Sequence, residues 1–528
     1  MDEFDVIVIG GGSGGSAAAG RLVQAGRKVC LLEAGPRNND TFIKTPGFMP
    51  FIRKASNYRY ETVPQKGLNG RIGYQPRGRG LGGSSAINAM IYIRGNRWDY
   101  DNWAALGCAG WSYDEVLPYF KKAEHNVRGE GEYHGEEGPL WVSDQRWPNK
   151  GSLAFVEAAT QLQLPRNRDF NGEKQEGFGL FQVTQRQGER WSAARAYVEP
   201  LRGDRRLDVR IGVIVQRIVI EDGRATGVVY SVAGKERQVT ARGGVVLAAG
   251  AFNSPQILML SGIGPAKHLR EQGVKVTLDR PAVGSDLQDH PDYVSSWQTQ
   301  SRDFVGDSFE GTMRMAKAAI EHRRRRTGMM TTPYAETGGF WKVSPDSPAP
   351  DIQWHFVPAV LEDHGRTRVK GHGFSLHACV LRPESRGTVR LAGPDAGMAP
   401  VIDPNFLVDD RDMAVLRAGV RLSHRIVSAP AMQVYDPKDR YPIDIDDDAA
   451  LDDLIRSRAD TVYHPVGTCR MGGDEDSVVD PRLKVRGIEG LWVADASVMP
   501  RLVSGNTNAP TIMIGERCAE FVQAELAA

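Results

Sequence analysis

Three glycines near the start of the chain have the spacing of a phosphate-binding turn. Gly10, Gly12 and Gly15 follow the apolar run FDVIVI at residues 4–9. Gly10 permits a tight turn, Gly12 lets a pyrophosphate approach the backbone, and Gly15 lets a helix pack closely on the strand. Glu33 ends the next apolar run, where an acid can accept hydrogen bonds from ribose hydroxyls. The pattern predicts a dinucleotide site rather than a purely structural glycine turn.

A strand–helix–strand unit is needed to position these residues. Residues 4–9 predict a buried parallel strand, residues 13–22 a helix of small residues, and residues 28–34 a second strand. The fold class is therefore α/β. Further strands are predicted at residues 207–219, 227–230, 244–250 and 490–496, followed by a helix from Pro510.

The stretch from about 296 to 445 has a different character. Residues 374–381 and 387–391 predict two strands joined by a turn at 383–386, which indicates an antiparallel sheet in a separate substrate domain. We therefore predict a discontinuous organisation, with substrate-domain segments inserted between nucleotide-domain segments. The predicted segments are 1–150, 191–295 and 451–528 for the nucleotide-binding domain, the last with the catalytic residues, and 151–190 and 296–450 for the substrate-binding domain.

The composition excludes several classes of protein. Sixty-six Lys and Arg against 65 Asp and Glu leave a net charge of +1, which argues against a nucleic-acid-binding protein. Five cysteines without a Cys-x-x-Cys pair indicate neither a disulfide framework nor a zinc site, and we expect no metal. No apolar run approaches the ~18–20 residues of a membrane span, and the acidic N-terminus does not resemble a signal peptide. We expect a cytoplasmic protein.

Two longer segments carry a family resemblance. Residues 78–90 (GRGLGGSSAINAM) are typical of backbone wrapped closely around a large anionic or planar ligand. Residues 250–264 (GAFNSPQILMLSGIG) are equally distinctive. Together with the N-terminal glycines, and in the same order, they resemble the signature motifs of the glucose–methanol–choline (GMC) oxidoreductase family. The resemblance runs from Asp5 to the C-terminal helix.

This resemblance implies an FAD-binding Rossmann-like domain, a substrate domain on an antiparallel sheet, and alcohol oxidation by hydride transfer to flavin N5. Some family members tether the flavin to a histidine before the asparagine of the second motif. Here Ile87 precedes Asn88 and cannot form that bond, so we predict non-covalent FAD. The implied FAD contacts are Gly10, Gly12, Gly15, Glu33 and Ala34 at the ADP half, Val215 on the adenine side, Arg79, Gly83, Ser84, Asn88, Ala89 and Met90 along the pyrophosphate and flavin, and Asp495, Ala496, Asn506 and Thr507 at the ribityl–flavin end.

Oxidation of an alcohol removes the hydroxyl proton as well as a hydride, and a histidine suits that task because its pKa is near neutral. The chain has 11 histidines. Residues 463–472 (YHPVGTCRMG) are similar to the catalytic histidine motif of the family, so His464 is the predicted base. The family pairs this histidine with a His or Asn shortly before the last helix, and Asn506 stands at that position. Asn506 can bond the substrate oxygen but cannot titrate.

Other histidines have weaker assignments. His290, in LQDHP, also resembles a family segment and is interpreted as structural, near the flavin edge or a domain junction. His355 and His377 lie on predicted substrate-domain strands, where one of them could line the pocket. Asn508 could contact the flavin ring or cap the last helix.

The substrate is predicted from segments that look like the bacterial choline-dehydrogenase-like alcohol dehydrogenases of the family. These segments are 351–358, 362–366 and 381–389. They favour a medium-sized, mainly apolar primary alcohol, oxidised to the aldehyde. Choline would need an aromatic cage and an acid. Trp297, Trp354 and Glu336 could contribute to one, although no spacing establishes it.

The electron acceptor is predicted to be a quinone or an artificial dye. The basic run at residues 323–326 could help to dock the protein peripherally on the inner membrane surface, where quinone resides. Open alternatives are an oxygen-using alcohol oxidase and a choline dehydrogenase. Alternatives of another class are a non-redox hydroxynitrile lyase, a flavin photoenzyme and a non-enzymatic FAD-binding protein. The sequence predicts no oligomeric state.

Overall fold

The computed structural model describes residues 3–527. Two large sheets organise them, and the first has seven strands. In the spatial order given next, the first four strands pair in parallel with one another, and Leu491–Val493 also pairs in parallel. The last two strands of that order are joined by antiparallel pairings. In spatial order its strands are Leu207–Ile211, Val29–Glu33, Glu3–Ile9, Lys235–Leu247, Arg224–Val232 and Val213–Glu221, with Leu491–Val493 also beside Lys235–Leu247.

The parallel centre of this sheet forms where the chain has continuous apolar runs. Val6, Ile7 and Val8 are completely buried, as are Val245 and Val246 on the neighbouring strand. Strands that are covered on both faces require this pattern, because neither side chain direction reaches water. The sheet therefore supplies a rigid edge on which the glycine turn at residues 10–15 is held.

The C-terminal helix Asn508–Ala527 packs against the first helix, Ser13–Gln24. The approach is so close that a Cβ on Gly515 would lie 2.3 Å from the carbonyl oxygen of Gly14. A buried ion pair between Arg21 and Glu516, 2.8 Å apart, joins the same helices. The end of the chain is thereby brought back to the first turn, with residues 506–508 beside the glycine loop.

The second sheet has eight strands, and all its pairings are antiparallel. In spatial order they are Lys438–Asp439, Pro291–Thr299, Gly371–Val380, Ile352–Val357, Thr337–Trp341 and Gly177–Leu180, with Gly306–Asp307 beside Gly371–Val380 and Asp460–Thr461 beside Pro291–Thr299. The predicted fold class, an α/β nucleotide-binding part with an antiparallel-sheet substrate part, is confirmed. The five-segment division stays a prediction.

Alternation along the strand Ile352–Val357 divides the second sheet into two faces. Trp354 and Phe356 belong to a hydrophobic core that includes the helices Lys150–Gln161 and Asp410–Val427. The intervening side chain of His355 lies on the opposite face and lines a cavity. Because successive side chains of a strand point to opposite faces, one strand builds the core and the site together.

The predicted hairpin between residues 374–381 and 387–391 is wrong. Gly371–Val380 pairs within the second sheet, whereas Thr388–Arg390 pairs with Val401–Asp403 in a separate two-stranded sheet. The intervening segment does not turn back, because the buried Asp412 carboxylate accepts hydrogen bonds from the backbone N–H groups of Glu384 and Ser385 at 2.7 and 3.0 Å. A distant helix therefore directs this segment away from the sheet.

The remaining elements connect these layers. The other α-helices are Thr41–Lys44, Arg97–Ala105, Tyr113–Ala123, Ala193–Tyr197, Gly250–Leu260, Ala266–Glu271, Phe309–Arg325, Pro430–Gln433 and Asp448–Arg458. The other strands pair as Tyr60–Glu61 with Tyr74–Gln75, Glu124–Asn126 with Leu140–Val142, Gln185–Arg186 with Glu189–Arg190, and Ile263–Gly264 with Leu278–Asp279. Between residues 3 and 527 we find no helix with the length and apolar character that a bilayer crossing requires.

Candidate active site

A cavity of about 1720 Å³ is lined by residues of both large sheets. Nearly all the FAD contacts expected from the family resemblance lie on its wall. These are Gly10, Gly12, Glu33, Ala34, Arg79, Gly83, Ser84, Asn88, Ala89, Met90, Val215, Asp495, Ala496, Asn506 and Thr507. Gly15 does not line it; a Cβ there would lie 1.9 Å from the carbonyl oxygen of Gly10, so this glycine permits the helix to pack against the turn.

The two glycine-rich loops meet at one end of this cavity. Gly83 has a φ of +51°, and a Cβ on it would lie 2.8 Å from Cα of Gly12. The helix that starts after Gly12 has no side chain bonded at its N-cap and no acid in its first turn. Its first N–H groups are therefore available to an anion, and the helix dipole favours negative charge there. The bare backbone and the open helix start fit a pyrophosphate.

Glu33 connects the two loops through its buried carboxylate. Oε2 accepts from the N–H of Gly11 at 2.8 Å, and Oε1 accepts from the N–H groups of Gly35 and Gly80, each at 2.9 Å. Each carboxylate oxygen has two acceptor sites, so capacity remains for a ribose hydroxyl. The same residue thus positions the loops and faces the cavity.

Asp495 holds the signature segment at residues 250–264 in place. Its Oδ2 accepts from the N–H of Gly250 at 2.8 Å and from the hydroxyl of Ser254 at 2.5 Å. Its Oδ1 accepts from the N–H of Ser497 at 2.8 Å. The acid therefore ties the start of the helix Gly250–Leu260 to the turn at residues 496–498, and both flank the cavity.

His464 and Asn506 are brought together, as their predicted partnership requires. Nδ2 of Asn506 lies 3.2 Å from Nε2 of His464, and both residues line the cavity. Asn508, just after this pair, accepts a hydrogen bond from the Ser13 hydroxyl at 2.7 Å and also lines the cavity.

His290 contacts the predicted base directly. Its Nδ1 lies 2.9 Å from Nδ1 of His464, and the two rings are perpendicular. The backbone N–H groups of His290 and His464 both donate to Oδ1 of Asp289, at 2.9 and 2.8 Å respectively. Sequence reasoning gave His290 only a structural interpretation and did not identify Asp289, because the two segments are far apart in the chain. The only sequence signal was the family-like segment LQDHP.

The hydrogen-bond chain through these histidines assigns their protons. Nε2 of His290 lies 3.1 Å from the carbonyl oxygen of Leu381, which can only accept, so that nitrogen carries the hydrogen. Burial lowers the pKa of His290 to about 3, so the ring is neutral and its Nδ1 is an acceptor. Nδ1–H of His464 must then donate to it. This tautomer, inferred from the network, leaves a lone pair on Nε2 of His464.

The electrostatic surroundings keep His464 neutral as well. Its pKa lies well below the usual value, because burial penalises the charged ring and because His290, His355 and Arg77 are near. The guanidinium of Arg77 donates to the carbonyl oxygen of Tyr463, the residue before His464, at 2.8 Å. A neutral imidazole with a lone pair is the form that can accept a proton.

Two further side chains complete the polar end of the cavity. Gln353 donates from Nε2 to Oδ1 of Asn506 at 3.2 Å, which turns the amide N–H₂ of Asn506 towards His464. His355 lines the cavity near Asn506, and both of its ring nitrogens are buried. Burial lowers the pKa of His355 to about 3, so it is a neutral ring that can donate or accept.

The residues considered for a choline cage do not form one. Trp297 and Trp354 are buried in the hydrophobic core. Glu336 is bonded to the N–H of Asn149 at 2.6 Å and to Ser152 at 2.8 Å, away from the cavity. An acid that does line the cavity is Asp292: its Oδ2 lies 2.6 Å from Nδ1 of His377, and its buried Oδ1 has no partner among residues 3–527.

Comparison with known proteins identifies the family. Two family models described as GMC oxidoreductase match residues 4–292 and 383–515. The chain therefore belongs to the GMC oxidoreductases, as its motifs predicted, and is an FAD-dependent oxidoreductase. Ile87 also lines the cavity, and its side chain cannot bond covalently to a flavin, in line with non-covalent binding.

Similar proteins include enzymes with different substrates. The chain is 43% identical to alcohol dehydrogenase [acceptor] of Pseudomonas putida, over 98% of this chain and 95% of that protein. It is 39% identical to oxygen-dependent choline dehydrogenase of Rhizobium etli, again over 98% and 95%. Among solved structures, pyridoxine 4-oxidase from Mesorbium loti has a TM-score of 0.87 and 31% identity, covering 98% of both chains.

Proposed function

We propose that this protein oxidises a primary alcohol to the aldehyde and passes the electrons to a quinone-like acceptor. The observation that carries the proposal is the 3.2 Å approach of His464 Nε2 to Asn506 Nδ2, in the cavity lined by the expected FAD contacts. The inferred tautomer leaves this Nε2 with a lone pair. The relatives named alcohol and choline dehydrogenases support action on a CH–OH group. FAD, when bound, supplies the acceptor for the hydride.

Each of the polar residues has a proposed task. Asn506 donates its amide hydrogen to the substrate oxygen, and Gln353 holds that amide in orientation. His464 takes the hydroxyl proton on Nε2 as the C–H bond breaks, so that the carbinol becomes a carbonyl. The resulting imidazolium keeps its Nδ1–H bond to His290, whose bare nitrogen stabilises the positive charge.

One part of the cavity wall is apolar and favours an apolar alcohol. Apolar or aromatic side chains in this part of the wall belong to Ile91, Val305, Tyr334 and Val357. Such side chains provide burial for an alkyl chain at roughly 25 cal/mol per Å² of apolar surface removed from water. We propose a medium-sized primary alkanol as the preferred substrate.

Choline oxidation is a second candidate, and one observation favours it. Asp292 lines the cavity, and a quaternary ammonium group would be matched by such an acid. The similarity to the Rhizobium etli choline dehydrogenase is almost as high as that to the alcohol dehydrogenase.

The proposal is tested by anaerobic titration of the FAD-loaded protein with 1-alkanols and with choline, followed by air or a soluble quinone. We expect alkanols to bleach the flavin absorbance in the dark, and quinone to restore it faster than air. Preferential bleaching by choline, lost in Asp292→Asn while slow alkanol bleaching persists, would establish the second candidate instead. Rapid recovery in air would indicate an oxidase. Absence of bleaching by any alcohol would move the assignment to a lyase or a photoenzyme.

A further inference from the structure

The helix Phe309–Arg325 carries an apolar stripe that faces solvent. Phe309 is 83% exposed, Met313 48% and Ile320 55%. At 100° per residue these side chains and the exposed Ala316 lie within about 60° of one another on the helix. Exposed apolar side chains are common singly, but a contiguous stripe marks a surface used for binding.

The stripe is not needed to attach the helix to the protein. The opposite face is attached by the buried Ala318 and His322, and Nε2 of His322 bonds the carbonyl oxygen of Gly188 at 2.9 Å. Ala318 belongs to a small core with Met329 and Met330. Packing therefore explains one face of the helix and leaves the apolar stripe without a partner in the described chain.

The same helix is strongly basic at its C-terminal end. It contains five Lys and Arg against two Glu, and Arg323, Arg324 and Arg325 form its last turn. All three are exposed, and none makes a salt bridge with any residue between 3 and 527. Arg326, the next residue, is neutralised by Glu189 at 2.8 Å. Three uncompensated charges thus lie at one end of the stripe, with Arg323 and Arg324 on either side of it, and would attract an anionic surface.

The core side of the helix lies near the segment Pro46–Phe51, which is next to the cavity. Phe48 packs against the same small core as the helix, and Phe51 is 57% exposed. Phe51 and Met315 also line the cavity. The helix that carries the stripe is therefore also part of the cavity wall, through Met315 on another of its faces.

We propose that the apolar stripe and the basic end of the helix Phe309–Arg325 dock on an anionic lipid bilayer. The apolar stripe enters the headgroup boundary, and Arg323, Arg324 and Arg325 contact acidic lipids, as in amphipathic helices that lie in the membrane plane. Apolar molecules dissolved in the bilayer would then reach the cavity without crossing water. The docking goes beyond the proposed oxidation and does not depend on it.

Co-sedimentation of the FAD-loaded full chain with vesicles tests the proposal. One set of vesicles is phosphatidylcholine alone, and the other contains equal parts of phosphatidylcholine and phosphatidylglycerol. We expect binding to the acidic vesicles that weakens with salt. Replacing the three arginines by Gln is expected to lower that binding on the order of a hundredfold, and Phe309→Ser with Ile320→Ser at least about tenfold. Val434→Ser, at an apolar residue 77% exposed elsewhere, is the matched control and should bind like wild type.

Retained FAD content and circular dichroism show that each variant is folded. The proposal would be overturned if the wild-type protein did not bind the acidic vesicles, or if both helix variants bound them as strongly as the wild-type protein. The proposal would also be overturned if Val434→Ser lost as much vesicle binding as the helix variants. If light scattering showed a dimer for the wild-type protein and a monomer for the Phe309/Ile320 variant, the stripe would be assigned to contact with a second copy of the chain instead.

Discussion

His464 is buried at the cavity wall and has partners that fix its proton. Its pKa is lowered by burial and by neighbouring groups, so the neutral form exists above a folded-state pKa that lies well below 6.5. We therefore expect kcat/KM for an uncharged alcohol to be constant from about pH 6.5 upwards and to fall only in more acidic solution. Stopped-flow flavin reduction across pH measures this. An activity that rises through an apparent pKa of 7 or above would show that the base has a different environment.

His290 is expected to be a positioning residue for the base. Replacing it by Ala removes the acceptor for His464 Nδ1–H, so the imidazole can adopt the tautomer whose Nε2 carries the hydrogen. We expect flavin reduction to slow by roughly ten- to a hundredfold, within the range of general-base effects. His290→Asn is the control, because Oδ1 of Asn can accept in place of Nδ1 and should recover much of the rate. Equal rates for both variants and wild type would contradict this role.

At the scale of elements, a buried ionic network attaches the loop around residue 134. His134 lies between Glu124, at 3.2 Å, and Asp169, at 2.8 Å. Despite burial, which lowers it, the pKa of His134 is raised to about 9 by hydrogen bonds to Asp169 and Glu124. Glu124 also pairs with the buried Arg94. The strand Glu124–Asn126 is thus joined to the segment around Asp169 by a charged histidine.

This network makes stability depend on pH in a defined direction. The folded-state pKa of His134 is above its unfolded value, so its contribution is fully present below about pH 6.5 and is lost as pH rises through about 9. Urea unfolding at these two pH values should show lower stability in the alkaline sample. His134→Gln is expected to have a lower free energy of unfolding than wild type at the lower pH. Most of the difference in unfolding free energy between the two pH values should be absent from this variant. An unchanged difference in the variant would assign it to other groups.

Sequence and structure agree best where a feature is local. The turn at Gly10, Gly12 and Gly15 is determined by neighbouring residues, and so is the buried strand before it, which is why both were predictable. The hairpin near residue 384 was not predictable, because the Asp412 carboxylate that redirects the segment lies on another element. Local patterns cannot encode such capping.

The same limit applies to the candidate site. His464 and Asn506 were found through motifs, but the His290–His464 contact joins residues 174 positions apart. His355 was recognised only as one of two possible pocket residues, and strand alternation in the folded sheet places its ring on the cavity side. Trp354, which looked suitable for a cage, lies on the core side of the same strand.

For the whole molecule, both sheets and both chain ends contribute to one cavity. The first sheet carries the glycine turn, the second carries His355, and the C-terminal segment carries Asn506. Close packing of the last helix on the first brings these parts together. The proposed catalysis depends on one lone pair, that of His464 Nε2.

The most direct test is anaerobic stopped-flow reduction of bound FAD by a 1-alkanol in His464→Ala, with Asn506→Ala for comparison. We predict that His464→Ala retains FAD and lowers the limiting rate of flavin reduction by about 10²–10⁴-fold. Asn506→Ala should have a smaller effect, because an amide orients the substrate oxygen but takes no proton. A near-wild-type rate of flavin reduction in His464→Ala would contradict the assignment of the base.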